Sequence, residues 1–298
     1  MKPCLFLCSF DSLFSKGLSL HEAVDMAIEY GIHAVEPFPV KELSTKNLFA
    51  AKEFGEYCHK KGVSIPCFSM LSKLEGVNYK EEVERLKGFI DMAAEMGAGL
   101  FHHTLVPSLK HSAEQMPIFK QIMPQLISAC EEICDYAAQY NITCVYEDQG
   151  FVINGVRAYE EFFLSLGRSN KGIVADLGNI LFVDEKPQEF VGHFAPNVKH
   201  VHVKDYLVKP GSGQFPGGGW YLNANGDYLR GTIIGHGTID FVQTIKILLR
   251  AGYEGYYSIE FDGIESPKNG VVNGVQNLRY YFEEAKRQLS FCDDKVLD

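Results

Sequence analysis

The chain has 298 residues, 46% of them hydrophobic and 22% charged, with 28 Gly and 12 Pro. That is the composition of a well-packed globular protein, with no segment polar enough to read as extended disorder. The formal net charge of −10 leaves no basic footprint for DNA or RNA and disfavours anionic membrane surfaces.

Eight cysteines (Cys4, Cys8, Cys58, Cys67, Cys130, Cys134, Cys144 and Cys292) are scattered along the chain, several inside apolar runs. Free cysteine is a common small core residue. No CxxC pair occurs, which argues against a zinc ribbon or a thioredoxin-type redox site. Cys130 and Cys134 share a helical face and read as core rather than as metal ligands. The N-terminal apolar run is too short for a secretory segment with its cleavage site, and no run approaches the roughly 18 residues of a membrane span. The expected location is the cytoplasm.

Short apolar runs suited to buried strands alternate with segments of helical period. Residues 4–10 form the first run. Helix 20–30 follows, with Ser19 as its cap and Ala23, Val24, Ala27 and Ile28 on one apolar face, and Gly31 stops it. Run 32–38 leads to helix 47–61 and Gly62, and run 63–70 leads to helix 79–96 and Gly97. Run 99–105 leads to a long helix over about 113–140. Run 142–147 precedes helix 156–166, and run 172–177 precedes a short helix near 187–194. The seventh run is 198–205, with its helix, 241–251, displaced far downstream. Run 255–262 and helix 275–289 close the chain.

Runs buried on both faces, each followed by a helix, predict a parallel sheet, and eight such units predict an α/β (β/α)₈ TIM barrel. A doubly wound open sheet is the alternative, but no GxGxxG follows the first run. The length prior of about 150 residues per domain suggests two, yet barrels of this length form one, so 1–298 reads as one domain. The excess length lies in 206–237, after the seventh strand, with Pro210-Gly211-Ser212-Gly213, Gly217-Gly218-Gly219 and Asn225-Gly226. Asn-Gly flanked by Trp220-Tyr221-Leu222 and Tyr228-Leu229 is a hairpin signal. The insertion emerges at the barrel face where active sites are built, as a lid or substrate wall, or else as a solvated or oligomer-contact loop.

A polar residue ending an apolar barrel strand points into the site. The last four strands end in Glu147, Asp176, His202 and Glu260, within Cys144-Val145-Tyr146-Glu147, Val174-Ala175-Asp176, His200-Val201-His202-Val203-Lys204-Asp205 and Ser258-Ile259-Glu260. Gathering these carboxylates in a buried rim is costly without a cation. The donor mix, mostly oxygen with one nitrogen, suits one divalent metal ion, Mn²⁺ first, with Mg²⁺, Co²⁺ or Zn²⁺ as alternatives. Open coordination positions would suit a 1,2-diol or an α-hydroxyketone. Taken singly, each residue has a structural reading: a strand-end Glu is often salt-bridged, Asp176 caps the turn at Gly178-Asn179, and one of His200 and His202 is a hydrogen-bonded neighbour. Four successive strands supplying such residues favour the metal.

These stretches, together with Ala34-Val35-Glu36 on strand two and Gly235-His236-Gly237-Thr238-Ile239-Asp240-Phe241 at the entry to helix seven, resemble the xylose-isomerase-like superfamily of sugar isomerases and epimerases. That superfamily includes tagatose 3-epimerase, hydroxypyruvate isomerase and inosose dehydratase, with zinc AP endonucleases as relatives. The resemblance spans the chain and implies Glu147, Asp176, His202 and Glu260 as the metal ligands. It also implies Glu147 and Glu260 as the catalytic acid and base on opposite faces of the substrate, acting through an enediolate. Weaker substrate-binding candidates are His102, Glu36, Lys204, His236 and Arg230. Of His102 and His103, alternation lets only one enter the barrel. Asp205 is a candidate to orient Lys204.

The expected function is a metal-dependent isomerase or epimerase acting on a small carbohydrate or keto-polyol, with a homo-oligomer allowed. A dehydratase of the inosose-dehydratase kind uses the same metal and base and is the alternative. A phosphodiesterase of the AP-endonuclease branch is disfavoured by Asn179 where that branch places a histidine, by Gly235-His236-Gly237 in place of an Asp-x-His pair, and by the net charge of −10. A non-catalytic sugar-binding barrel is disfavoured because the whole ligand set is present.

Overall fold

The computed structural model describes residues 1–109 and 118–293. Eight parallel strands form one sheet: β1 (Lys2–Phe6), β2 (Val35–Glu36), β3 (Cys67–Met70), β4 (Leu100–His103), β5 (Thr143–Glu147), β6 (Lys171–Asp176), β7 (Val198–Val203) and, later in the chain, β11 (Tyr256–Ile259). Their order is β2-β1-β11-β7-β6-β5-β4-β3. The remaining gap is bridged by Val35 N–H donating to Ser64 O at 2.9 Å and Ser69 N–H donating to Pro37 O at 3.1 Å. The result is the α/β TIM barrel that the alternation predicts.

Helices α1 (Asp11–Phe14), α2 (Leu20–Glu29), α3 (Leu48–Lys60), α4 (Tyr79–Met96), α5 (Phe119–Ala138), α6 (Val156–Ser165), α7 (Pro187–Phe194), α8 (Phe241–Arg250) and α9 (Pro267–Asp293) accompany the strands. Ser19 and Glu22 form a capping box on α2, and the Asn47 and Asp240 side chains cap α3 and α8. At the end of α4, Gly97 adopts φ 76°, a left-handed conformation that favours glycine. Among the described residues, no helix is long and apolar enough to cross a membrane.

Several boundaries differ from the sequence reading. The first strand stops at Phe6, and the rest of its apolar run turns into a 3-10 segment, Leu7–Phe10, and α1. The last helix begins at Pro267, well before residue 275, because its first turn is polar and carries no apolar period. The predicted start of the long fifth helix, near 113, lies outside the described residues. The insertion does contain the Asn-Gly hairpin, between β9 (Tyr221–Leu222) and β10 (Tyr228–Thr232), but a further strand, β8 (Asp205–Lys209), joins it in a three-stranded antiparallel sheet.

Strict alternation along the strands separates the two barrel surfaces. Tyr146, Ile173, Ala175, Val201, Val203, Tyr257 and Ile259 belong to the main core between sheet and helices. Their neighbours Val145, Val174 and Cys67 form a separate small cluster, with Leu100 packed on it, inside the barrel. Two residues further along the same inward rows stand Glu147, Asp176, Ser69 and His102. His200, His202 and Ser258 are inward by the same rule.

Candidate metal centre

His202 organises the upper interior. Its Nδ1 lies 2.6 Å from Glu147 Oε1, 3.5 Å from Glu260 Oε2 and 3.8 Å from Asp176 Oδ2. One ligand atom from each of Glu147, Asp176, His202 and Glu260 lies within 4.8 Å of the other three. Donors about 2.0–2.6 Å from one ion are separated by distances of this size. All are buried except Glu260, whose side chain is 17% exposed and faces the opening.

Each ligand candidate is held by its strand end. Asp176 divides its labour: Oδ1 accepts from Gly178 N–H and Asn179 N–H, both at 2.8 Å, which caps the turn after β6. Its Oδ2 faces the cluster, so capping the turn leaves that oxygen directed at the other three residues. Glu260 N–H donates to Val203 O at 3.0 Å, which ties the end of β11 to β7. Among the described residues, Asp176 Oδ2 and Glu260 Oε2 are buried without a directed hydrogen bond. Among these residues, Glu260 Oε2 has no hydrogen-bond donor and Asp176 Oδ2 meets only the Lys204 ammonium, and such acceptors beside an imidazole nitrogen are a donor set that fits a divalent cation.

Lys204 is the nearby cation. Its Nζ lies 2.7 Å from Glu260 Oε1 and 2.9 Å from Asp176 Oδ2. Burial works against its charge, but Asp176 and Glu260 outweigh it and hold the ammonium well above its ordinary pKa. Lys204 therefore meets two of this chain's own carboxylates. Burial raises the Glu260 carboxyl, with Lys204 and His202 opposing. For His202, burial lowers the imidazole, but Glu36 and Glu147 outweigh it and hold it well above its usual value.

The structure sorts the other candidates. His102 enters the barrel, as alternation requires, whereas His103 lies on the helix side, edge-on to Tyr146. His102 Nε2 is 3.9 Å from Glu147 Oε2, and among the described residues neither ring nitrogen has a hydrogen-bond partner. Burial pushes this imidazole down to about 3, so it is neutral. Glu36 is fully buried, and both its oxygens are already taken by protein donors, so it is not a substrate contact. Burial raises its carboxyl, but His202 and His200 outweigh this and hold it well below the usual range.

Arg230 stacks on Trp220, its guanidinium carbon 4.9 Å from the ring centroid. It is paired with Leu207 in the insertion sheet, on the opposite face from Leu229 and Tyr206, which pack with Phe182. His236 is exposed, on a loop whose Gly235 and Gly237 N–H groups donate to Asp205 Oδ2 at 2.9 and 2.8 Å. Both residues belong to the insertion, Arg230 to its sheet and His236 to the loop that follows it. Asp205 holds that loop rather than orienting Lys204.

Two residues escaped the sequence reading. Asp148 is buried and its Oδ1 accepts from Asp176 N–H at 2.8 Å, which fixes the end of β6. Burial, then Asp176, raises its carboxyl well above the ordinary value. Phe6, which ends β1, lies 5.0 Å from the His202 ring and shields it. The acidic pair Glu147-Asp148 stands in the sequence as a signal that could have found Asp148.

The insertion is anchored at both ends and along its length. Ala224 N–H donates to Phe182 O at 2.8 Å, and Thr238 N–H donates to Tyr206 O at 3.1 Å. Gly231 leaves no room for a side chain, since a Cβ there would sit 1.9 Å from Asp262 O.

The xylose isomerase-like TIM barrel family model matches residues 24–281. An inosose dehydratase of Clostridium botulinum is 24% identical over 226 residues, covering 70% of this chain and 72% of that protein. Among solved structures, the IOLI protein with a bound zinc atom superposes with a TM-score of 0.74 at 16% identity, covering 96% of this chain and 99% of that one. An L-ribulose 3-epimerase superposes with a TM-score of 0.73 at 12% identity, covering 97% of both chains. The chain belongs to the xylose isomerase-like TIM barrel family.

Proposed function

We propose that the protein is a divalent-metal-dependent isomerase or epimerase of a small sugar or keto-polyol, working by removal of the proton alpha to a carbonyl. The observation that carries this reading is the convergence of Glu147, Asp176, His202 and Glu260 on one centre. A bound divalent ion, Mn²⁺ first by the donor set, supplies Lewis-acid polarisation of the carbonyl and charge compensation for the enediolate. Glu147 and Glu260 are the acid and base, one taking the proton and the other returning it. Burial makes Glu260 a stronger base than an exposed carboxylate, and Lys204 holds its Oε1 so that Oε2 faces the centre. His102 offers its unpartnered nitrogens to substrate hydroxyls.

A second reading, dehydration, is supported by the inosose dehydratase relative, 24% identical over most of the chain. Here the same enolate expels a β-hydroxyl instead of being reprotonated. Incubating metal-loaded protein with ketoses and keto-inositols in D₂O tests both. Deuterium at the reacting carbon of an isomer is expected for the first reading, and loss of one water from the product for the second. Turnover with complete retention of the substrate's own hydrogen, as in a hydride shift, overturns proton abstraction and leaves both glutamates as ligands only.

A further inference from the structure

The barrel interior beneath the ligand cluster is polar, and a single carboxylate organises it. Glu36 Oε1 accepts from Ser69 Oγ–H and from His202 Nε2–H at 2.9 Å; Oε2 accepts from Ser258 Oγ–H and from His200 Nε2–H at 2.8 Å. A carboxylate offers about four lone-pair sites, and each oxygen here already has two donors. Glu36 ends β2, whereas its partners stand on β3, β7 and β11. Packing alone would fill this space with branched apolar side chains, as barrel interiors usually are.

An ionised carboxylate only accepts, so the ring nitrogen facing it carries hydrogen. For His202 that nitrogen is Nε2. Nδ1 faces Glu147 Oε1 at 2.6 Å, so by the same rule it too carries hydrogen while no ion is bound; a divalent ion held by Glu147, Asp176 and Glu260 would take the Nδ1 lone pair in place of that hydrogen, while the one on Nε2 stays with Glu36. Ligating histidines commonly gain their orientation and basicity from such a partner.

We propose that Glu36 is the positioning residue of the metal centre: it fixes His202 with hydrogen on Nε2 and presents Nδ1 to the divalent ion. The proposal rests on the metal reading above. It gives this fully buried acid a role that does not involve touching substrate.

The test is Mn²⁺ titration of wild type and Glu36→Gln, with the visible absorption spectrum of each protein loaded with Co²⁺. Glutamine keeps the volume, but its amide nitrogen cannot accept, so one imidazole N–H loses its acceptor. The expected result is an affinity for Mn²⁺ lower by roughly 10–100-fold, with an altered Co²⁺ spectrum at saturation. Equal affinity together with an unchanged spectrum overturns the proposal. If Glu36→Gln does not fold, nitrogen NMR of ¹⁵N-histidine wild type with Zn²⁺ decides: His202 Nδ1 must shift on ligation while Nε2 stays protonated. Ligation through Nε2 overturns the assignment. Wild type that binds none of these ions overturns the metal reading itself, a result distinct from wild type and variant binding alike.

Discussion

Lys204 Nζ lies 2.7 Å from Glu260 Oε1, inside the carboxylate cluster and almost out of solvent. This ammonium balances charge where a divalent ion fits, and it competes with that ion for Glu260 and Asp176. Replacing it by an isosteric apolar side chain separates the two effects. Lys204→Met should lower metal-free stability by about 3–5 kcal/mol, because buried carboxylates lose their partner. Adding Mn²⁺ should recover most of that loss, and affinity for the ion should rise. Thermal unfolding with and without Mn²⁺ measures both, and a variant indifferent to the ion would count against a shared site.

Asp176→Asn keeps an oxygen to cap Gly178 and Asn179 and removes the charge that faces the cluster. The barrel should stay folded by circular dichroism, while metal affinity and turnover fall by on the order of a hundredfold. Asp176→Ala loses the cap as well, at a further cost of about 1 kcal/mol. A fully active, metal-replete Asp176→Asn protein would remove Asp176 from the ligand set.

Much of this was legible because barrel strands are buried on both faces and end at a common rim. Val145-Tyr146-Glu147 and Val174-Ala175-Asp176 each announce a strand and the direction of its last residue. The pattern could not show where donors would spend their bonds. Glu36 reads as a rim acid like Glu147, yet Ser69, Ser258, His200 and His202 saturate it from three other strands, a long-range fact invisible to local spacing. Arg230 shows another limit: its place on Trp220 depends on a sheet in which it pairs with Leu207 of β8, a strand that the sequence reads as the start of the insertion loop.

Gly231 tests how the insertion meets the barrel. A methyl group there would sit 1.9 Å from the Asp262 carbonyl, two residues beyond Glu260. Gly231→Ala should therefore lift β10 away from the end of β11, costing about 1–3 kcal/mol. KM for the substrate should rise while Mn²⁺ affinity stays near that of wild type, because the insertion supplies no ligand. Unchanged stability and KM together would mean that the sheet is not seated on the barrel during catalysis.

The last expectation concerns acid. Burial holds the His103 imidazole down to about 4, against an ordinary value of 6.5, with its Nδ1 only 3.0 Å from Thr104 O. Between those values the unfolded chain takes up a proton at this residue and the native protein does not. The contribution is therefore fully present above pH 6.5 and is lost as pH falls towards 4. Asp148, raised by burial and by Asp176, acts with the opposite sign, so the measurement must be a difference between proteins. His103→Asn keeps a donor for Thr104 and removes the titration. From pH 8 to pH 5, wild type should lose about 2 kcal/mol more stability than His103→Asn in urea unfolding. Parallel pH profiles for the two proteins would mean that His103 is protonated in the folded state, and that the face between β4 and α4 is wetter than its packing implies.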